Sequence, residues 1–220
     1  MRKNTSGTSI IEAMVVMLIV VTWIIWMYKI FNNSQNLSNT TQNRIVAIQI
    51  AREGIEAFTN IRDTNWILFA ADHKNCWNTL NYDNSCVWNA GVSTNIAHNT
   101  SYKIYQTTEN RWELARQSTW DYTNNWYRDR FEVFQYRDAS PYAWLYTQSG
   151  ATSEVESMQP LFTREIQVEY IEDGIATGFA NSDEQKMIVT SKVQWQDPSK
   201  TTPHTVELET ILTNWKNKVN

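Results

Sequence analysis

The side chains that could do chemistry are few and far apart. His73, His98 and His204 each stand alone in the sequence, and they read as solvated or capping residues rather than ligands. Asp72 and His73, with Asp83 beyond them, could approach a cation. The ladder of alternating carboxylates that a calcium loop uses is missing there. Glu154 and Glu156, and Glu165 and Glu169, read as a solvated acidic face. Tyr127-Arg128-Asp129-Arg130-Phe131 interleaves rings and cations as a nucleic-acid surface would, but Asp129 and Glu132 interrupt the positive charge and a strand edge is the better reading. Glycine-rich phosphate loops, nucleophile-and-base pairs and His-Glu zinc motifs are absent from the sequence. No enzyme, no metal and no cofactor is expected.

Cys76 and Cys86 are the only cysteines. In an exported domain they can pair, closing a loop of about 11 residues and adding about 2.5–3 kcal/mol in the chain-entropy model. The alternatives are two free thiols or half of a metal site. There is no second pair, and Cys-x9-Cys is not a zinc-knuckle spacing, so a disulfide is the expectation.

One carboxylate stands in an unusual place. Glu12 interrupts an apolar stretch from Ile10 to Tyr28, in which Thr22 is the one other conventional polar residue. Those 19 positions reach about 28 Å as a helix, enough to cross a hydrocarbon core of roughly 30 Å. Arg2 and Lys3 precede it and place the N-terminus on the cytoplasmic side by the positive-inside rule. The block is longer than the apolar region of a secretory signal, and Tyr28-Lys29-Ile30-Phe31 offers no small-residue cleavage site. An ordinary signal anchor would have no need of Glu12, because an acid inside a spanning helix costs insertion free energy and marks a functional site.

The run Gly7-Thr8-Ser9-Ile10-Ile11-Glu12-Ala13-Met14-Val15-Val16 resembles the leader junction of type IV prepilins and type II secretion pseudopilins. The resemblance implies cleavage after Gly7 by a prepilin peptidase, N-methylation of the new first residue Thr8, and Glu12 at the fifth mature position. Phe is more usual than Thr at the first of these positions. It further implies assembly through Glu12, whose carboxylate would pair with the amino terminus of a neighbouring subunit at Thr8. A one-turn slip would strand a buried charge, so such a pair would fix axial register. The partners implied are other pilin subunits, the prepilin peptidase, the inner-membrane assembly machinery and membrane lipid. No clear nucleic-acid site is expected.

The elements that would carry this follow in order. Residues 1–7 read as a leader, 8–31 as the transmembrane and polymerisation helix, 32–66 as the amphipathic second half of that helix with a linker, and 67–220 as an extracytoplasmic β-rich head. Residues 32–43 are rich in Asn and Ser and favour helix weakly, so a melted stretch or a loop is expected there. Ala47, Ile48, Ala51, Gly54, Ile55, Phe58 and Ile61 then share one helical face. Four short strands are expected at 102–107, 111–116, 130–135 and 142–147. In the last third, Phe162, Ile166, Val168 and Tyr170 alternate with Arg164, Gln167 and Glu169. A second run, Met187, Val189, Val193 and Trp195, and a third, Val206, Leu208, Thr210 and Leu212, complete an antiparallel meander with one buried face, turning at Asp197-Pro198-Ser199-Lys200. The fold class is α+β, a long N-terminal helix packed on an antiparallel sheet, which resembles the pilin head. Val193-Gln194-Trp195-Gln196-Asp197 and Leu212-Thr213-Asn214-Trp215-Lys216 resemble minor-pilin tails.

Composition excludes some functions and raises one question. A net charge of −4 with scattered Lys and Arg does not build a phosphate-binding face. The chain has 11 Trp against 6 Gly, where glycine would ordinarily be roughly 7% of residues. A Trp-rich β-domain is one explanation. The other is a gene whose UGA codons specify glycine and have been translated as tryptophan, with Trp23, Trp26, Trp120 and Trp126 as the foremost positions. The functional expectation is a structural subunit, a minor pilin of a type IV pilus or related filament. It would be single-pass in the cytoplasmic membrane before assembly and at the cell surface afterwards. The alternatives are a secretion pseudopilin and a membrane-anchored binding or adhesin module that does not polymerise.

Overall fold

The computed structural model describes residues 10–87, 95–107, 111–118, 122–137, 144–148, 162–172, 175–176, 186–197 and 202–214. Gly7, Thr8, Trp120, Glu154, Glu156, Trp215 and the turn residues Pro198 to Lys200 lie outside them. By its contacts the chain divides into two compact units, Met1–Arg44 and Ile45–Asn220.

Helix α1, Ile10–Leu68, is continuous for 59 residues. It therefore includes residues 32–43, where a melted stretch or loop was the expectation. Weak propensity costs only a few tenths of a kcal/mol per residue relative to good helix formers, whereas breaking a helix forfeits a nucleus that must be formed again. The Thr40 and Thr41 hydroxyls donate to the carbonyls of Asn36 (3.0 Å) and Leu37 (2.8 Å) within the same helix. In the first unit, α1 is exposed along its described length except at Thr40 and Asn43, which are half-buried.

In the second unit, α1 buries Ala47, Ile50, Ala51, Gly54, Ala57, Phe58 and Ile61 against a sheet. This is the expected face turned slightly, with Ile50 and Ala57 inside and Ile48 and Ile55 half-buried. After a short turn of helix α2, His73–Cys76, come strands β1, Thr100–Gln106, and β2, Trp112–Gln117. Helix α3, Asn125–Phe131, leads into β3, Glu132–Arg137, and β4, Trp144–Thr147. The last strands are β5, Phe162–Glu172, the two-residue β6, Ile175–Ala176, β7, Lys186–Trp195, and β8, His204–Thr213. All pairings are antiparallel. The fold is α+β, with the helix packed on an antiparallel sheet.

Strand β5 is the centre of that sheet. Along one edge it pairs with β7 from Phe162↔Trp195 to Ile171↔Lys186, and β7 pairs in turn with β8. Along the other edge β3 takes residues 162–163 and β1 takes residues 166–168, so Arg164 and Glu165 fall between two strands. Alternation puts Met187, Val189, Val193 and Trp195 inside, as their spacing requires. The same alternation corrects two readings. Arg164 shares the parity of Phe162 and Ile166, and it is fully buried rather than facing solvent. Glu165 is 2% exposed and does not belong to a solvated face, because α3 covers that side of the strand with Tyr127.

Candidate functional site

The first part of α1 is the one described element long and apolar enough to cross a membrane. Its large apolar side chains from Ile10 to Phe31 are 48–81% exposed. At 1.5 Å per residue they extend about 33 Å, matching a bilayer core. Thr22 donates its hydroxyl to the Ile19 carbonyl (2.7 Å), so the span's internal hydroxyl is satisfied without water. Glu12 lies in the first described turn and is exposed. In an apolar medium such a carboxylate needs a cation.

In the second unit a different set of polar residues seats the helix. Gly54 makes that seating possible: a Cβ there would come within 2.7 Å of Ser191 Oγ, 2.9 Å of Ile166 Cδ1 and 3.1 Å of Arg164 Cδ. With no side chain at position 54, the backbone of α1 closes directly onto β5 and β7. Arg164 then lies under the helix, where its guanidinium donates to the carbonyls of Ile50 (3.3 Å) and Ile104 (3.1 Å) and sits 3.6 Å from Glu53 Oε1. Burial pulls the Arg164 pKa down and the neighbouring Glu53 opposes that pull. Burial also raises the Glu53 pKa, against the lowering effect of Arg164.

Gln148 fills the interval between β1 and β3. Its amide nitrogen donates to the carbonyls of Phe131 (3.0 Å) and Arg164 (2.6 Å), and its oxygen accepts from the Ile104 N–H (3.0 Å) and Arg164 Nε (3.3 Å). One side-chain amide thus stands in for the strand peptide that neither β1 nor β3 supplies. On the opposite face, Glu165 accepts from Ser101 Oγ (2.5 Å), Tyr127 Oη (2.7 Å) and Gln167 Nε2 (3.0 Å). Desolvation, followed by the Glu165 charge, pushes the Tyr127 hydroxyl well above its ordinary range.

The expected site residues are distributed between these two regions. Cys76 and Cys86 form a disulfide. His98 caps a strand, its Nδ1 accepting from the Tyr170 N–H (3.0 Å). His204 does not stand alone: Nε2 lies 3.0 Å from Asp197 Oδ2 and the ring stacks on Trp195. Asp72 accepts from Asn75 and Asp83 from the Ser85 N–H, and among the described residues no group of three or more His, Cys, Asp or Glu could hold a metal. The His73 side chain lies outside the described residues. In the sequence Arg164 reads as lying on the polar side of its strand, and Glu53 and Gln148 do not stand out as site residues, although strict alternation along β5 carried the signal for Arg164.

The described arrangement brings the Ser101 and Tyr127 hydroxyls onto the Glu165 carboxylate, but all three side chains are buried inside the second unit. It offers a membrane-length helix bearing one acid and, in the second unit, a helix segment fixed to a sheet. Compared with known proteins, the chain matches no family model, no curated protein and no solved structure.

Proposed function

We propose that this chain is a structural subunit of a type IV pilus or related filament, a minor pilin that assembles through its N-terminal helix. The observation that carries the reading is Glu12: a single exposed acid in an apolar helix of membrane length, five residues beyond Gly7. In lipid that carboxylate raises the cost of insertion. In a bundle of such helices it gains a purpose, because the amino terminus created at Thr8 on a neighbouring subunit is a cation of matching charge. Helices this apolar on every side are buried ones, first among lipid and then among copies.

The reading assigns Gly7 and Thr8 to cleavage by a prepilin peptidase, with methylation of Thr8 following. The head then faces outward on a stalk that remains attached, since cleavage on the cytoplasmic side leaves the apolar helix in place. Mass spectrometry of the N-terminal peptide from membrane or filament fractions tests it. A peptide beginning at methylated Thr8 supports assembly, and an intact Met1 terminus in assembled filaments overturns it.

A further inference from the structure

Among the described residues β2 pairs only with β1, so the outer side of β2 is an edge of the sheet. Edges with unpaired backbone groups invite the addition of further strands. This one is occupied. Asn81 Nδ2 donates to the Leu114 carbonyl (3.0 Å), and the Leu114 N–H donates to Asn81 Oδ1 (2.9 Å), so the amide makes the two bonds a strand residue would make. Tyr82 Oη donates to the Trp112 carbonyl (2.7 Å), and Arg111 lies over the Tyr82 ring.

Both capping residues belong to the loop closed by Cys76–Cys86. Both hold left-handed backbone, Asn81 at φ 50° and Tyr82 at φ 60°. Asn tolerates that region, but a bulky ring there is an outlier that persists only when its surroundings impose it. The surroundings are identifiable. The disulfide fixes the two ends of the loop. Asn65 donates from α1 to the Thr79 carbonyl (2.9 Å), Thr79 bridges to Asn95, and Asn78 donates to Tyr170 Oη (2.9 Å).

We infer that this loop is a redox-held cap that closes the β2 edge to strand addition. With the disulfide intact, the Asn81 amide and the Tyr82 hydroxyl occupy the outward groups of Leu114 and Trp112. Reduction by a dithiol transfers two electrons and two protons, opening the protein S–S bond to two thiols while the dithiol closes its own. The loop ends then separate, Tyr82 relaxes out of left-handed backbone, and the edge opens. The head therefore exposes this edge only while Cys76 and Cys86 are thiols.

Hydrogen exchange on the full-length chain in detergent micelles tests the cap. Oxidised protein, dithiol-reduced protein and an oxidised N81G variant are compared. N81G removes the amide while accommodating the left-handed φ. The Leu114 N–H should exchange about tenfold or more faster in both altered forms, while amides paired between β5 and β7 keep their protection. Unchanged Leu114 exchange in N81G overturns the proposal, whether or not reduction disturbs the rest of the head. Faster exchange in N81G with none on reduction also overturns it, because the disulfide would then not be what holds the cap.

Discussion

Arg164 Nη1 lies 3.6 Å from Glu53 Oε1, and the guanidinium carrying it is fully buried between helix α1 and strand β5. Few positions in the head hold more together, because Arg164 also reaches the carbonyls of Ile50 and Ile104 and the oxygen of Gln148. Removing one partner of a buried charge pair leaves the other uncompensated, at a cost of about 3–5 kcal/mol. R164A should therefore destabilise the head by that amount. E53Q leaves the fully buried Arg164 guanidinium without its counter-charge and should cost a comparable amount, eased only by the amide oxygen that can still accept from Arg164. Urea unfolding of the full chain in micelles, followed by tryptophan fluorescence, measures both. An R164A variant within about 1 kcal/mol of the parent would sink the assignment of Arg164 as the helix anchor.

Gly54 makes the complementary prediction. Alanine ordinarily favours a helix interior over glycine by about 1 kcal/mol. Here its Cβ would meet Ser191 Oγ at 2.7 Å and Ile166 Cδ1 at 2.9 Å. Overpacking of this kind typically costs about 1–3 kcal/mol, so G54A should lower stability despite the better helix former. Among the described residues buried Ser191 Oγ has no hydrogen-bond partner, so S191A should be close to neutral and should rescue part of the G54A loss. A more stable G54A would show that α1 does not approach the sheet this closely.

Tyr127 gives the head a pH dependence of known sign. Its folded pKa is raised above the ordinary value of 10.0, first by desolvation and then by Glu165. The stability it contributes is complete below pH 10, where the hydroxyl is protonated in both states, and is lost as pH rises through the folded value. Y127F should cost about 1–2 kcal/mol at neutral pH, since buried Glu165 loses a donor. It should also flatten the alkaline decline relative to the parent. Equal alkaline slopes in the two proteins would contradict the coupling.

How much of this could be read from the sequence depends on which physical term decided each element. Alternation over Phe162–Tyr170 and Met187–Trp195 was enough for the central strands, because a period of two leaves one choice of buried face. The Cys76–Cys86 pair followed from there being no other partner for either thiol. Residues 32–43 were misread because weak propensity costs only a few tenths of a kcal/mol per residue, less than the nucleus that a broken helix would have to form again. Helix α3 was hidden inside an aromatic and cationic run, although Asn124 ahead of it is a good N-cap and accepts from the Trp126 N–H (3.0 Å). Tyr127 and Phe131, four apart, pack with ring centroids at 4.8 Å on one face of that helix. Gln148 carried no local signal at all. Its role exists only because β1 and β3 leave residues 164–165 between them.

Assembly is tested at Glu12. E12A removes an acid from an apolar helix, so insertion should be unchanged or slightly improved. In the proposed assembly, incorporation into filaments should fall, because the partner amino terminus at Thr8 would be left without its counter-charge. Sheared filaments from cells expressing the variant, quantified against the membrane pool, separate the two effects. Parental yield of E12A subunits in the sheared fraction would mean that the carboxylate has no assembly role.

The tryptophan excess makes the last prediction, which the structure sharpens at one position. Trp66, Trp77 and Trp195 are buried in the core and fill space no glycine could fill. Trp126 differs from them, since its indole is 67% exposed and packs into no core cluster. Its backbone is helical rather than left-handed, so the case for glycine there rests on the absence of packing and not on a conformational need. Trp23 and Trp26 stand one turn apart in the exposed apolar helix, where tryptophan is less at home than near a membrane interface. Small residues at such positions let neighbouring helices approach closely, as the proposed filament core would require. The expected result is UGA at the codons for Trp23, Trp26, Trp120 and Trp126, with glycine masses in the corresponding peptides of the native protein. UGG at all four ends the hypothesis. With UGA codons and tryptophan masses, the recoding would be refuted even though the codon pattern was right.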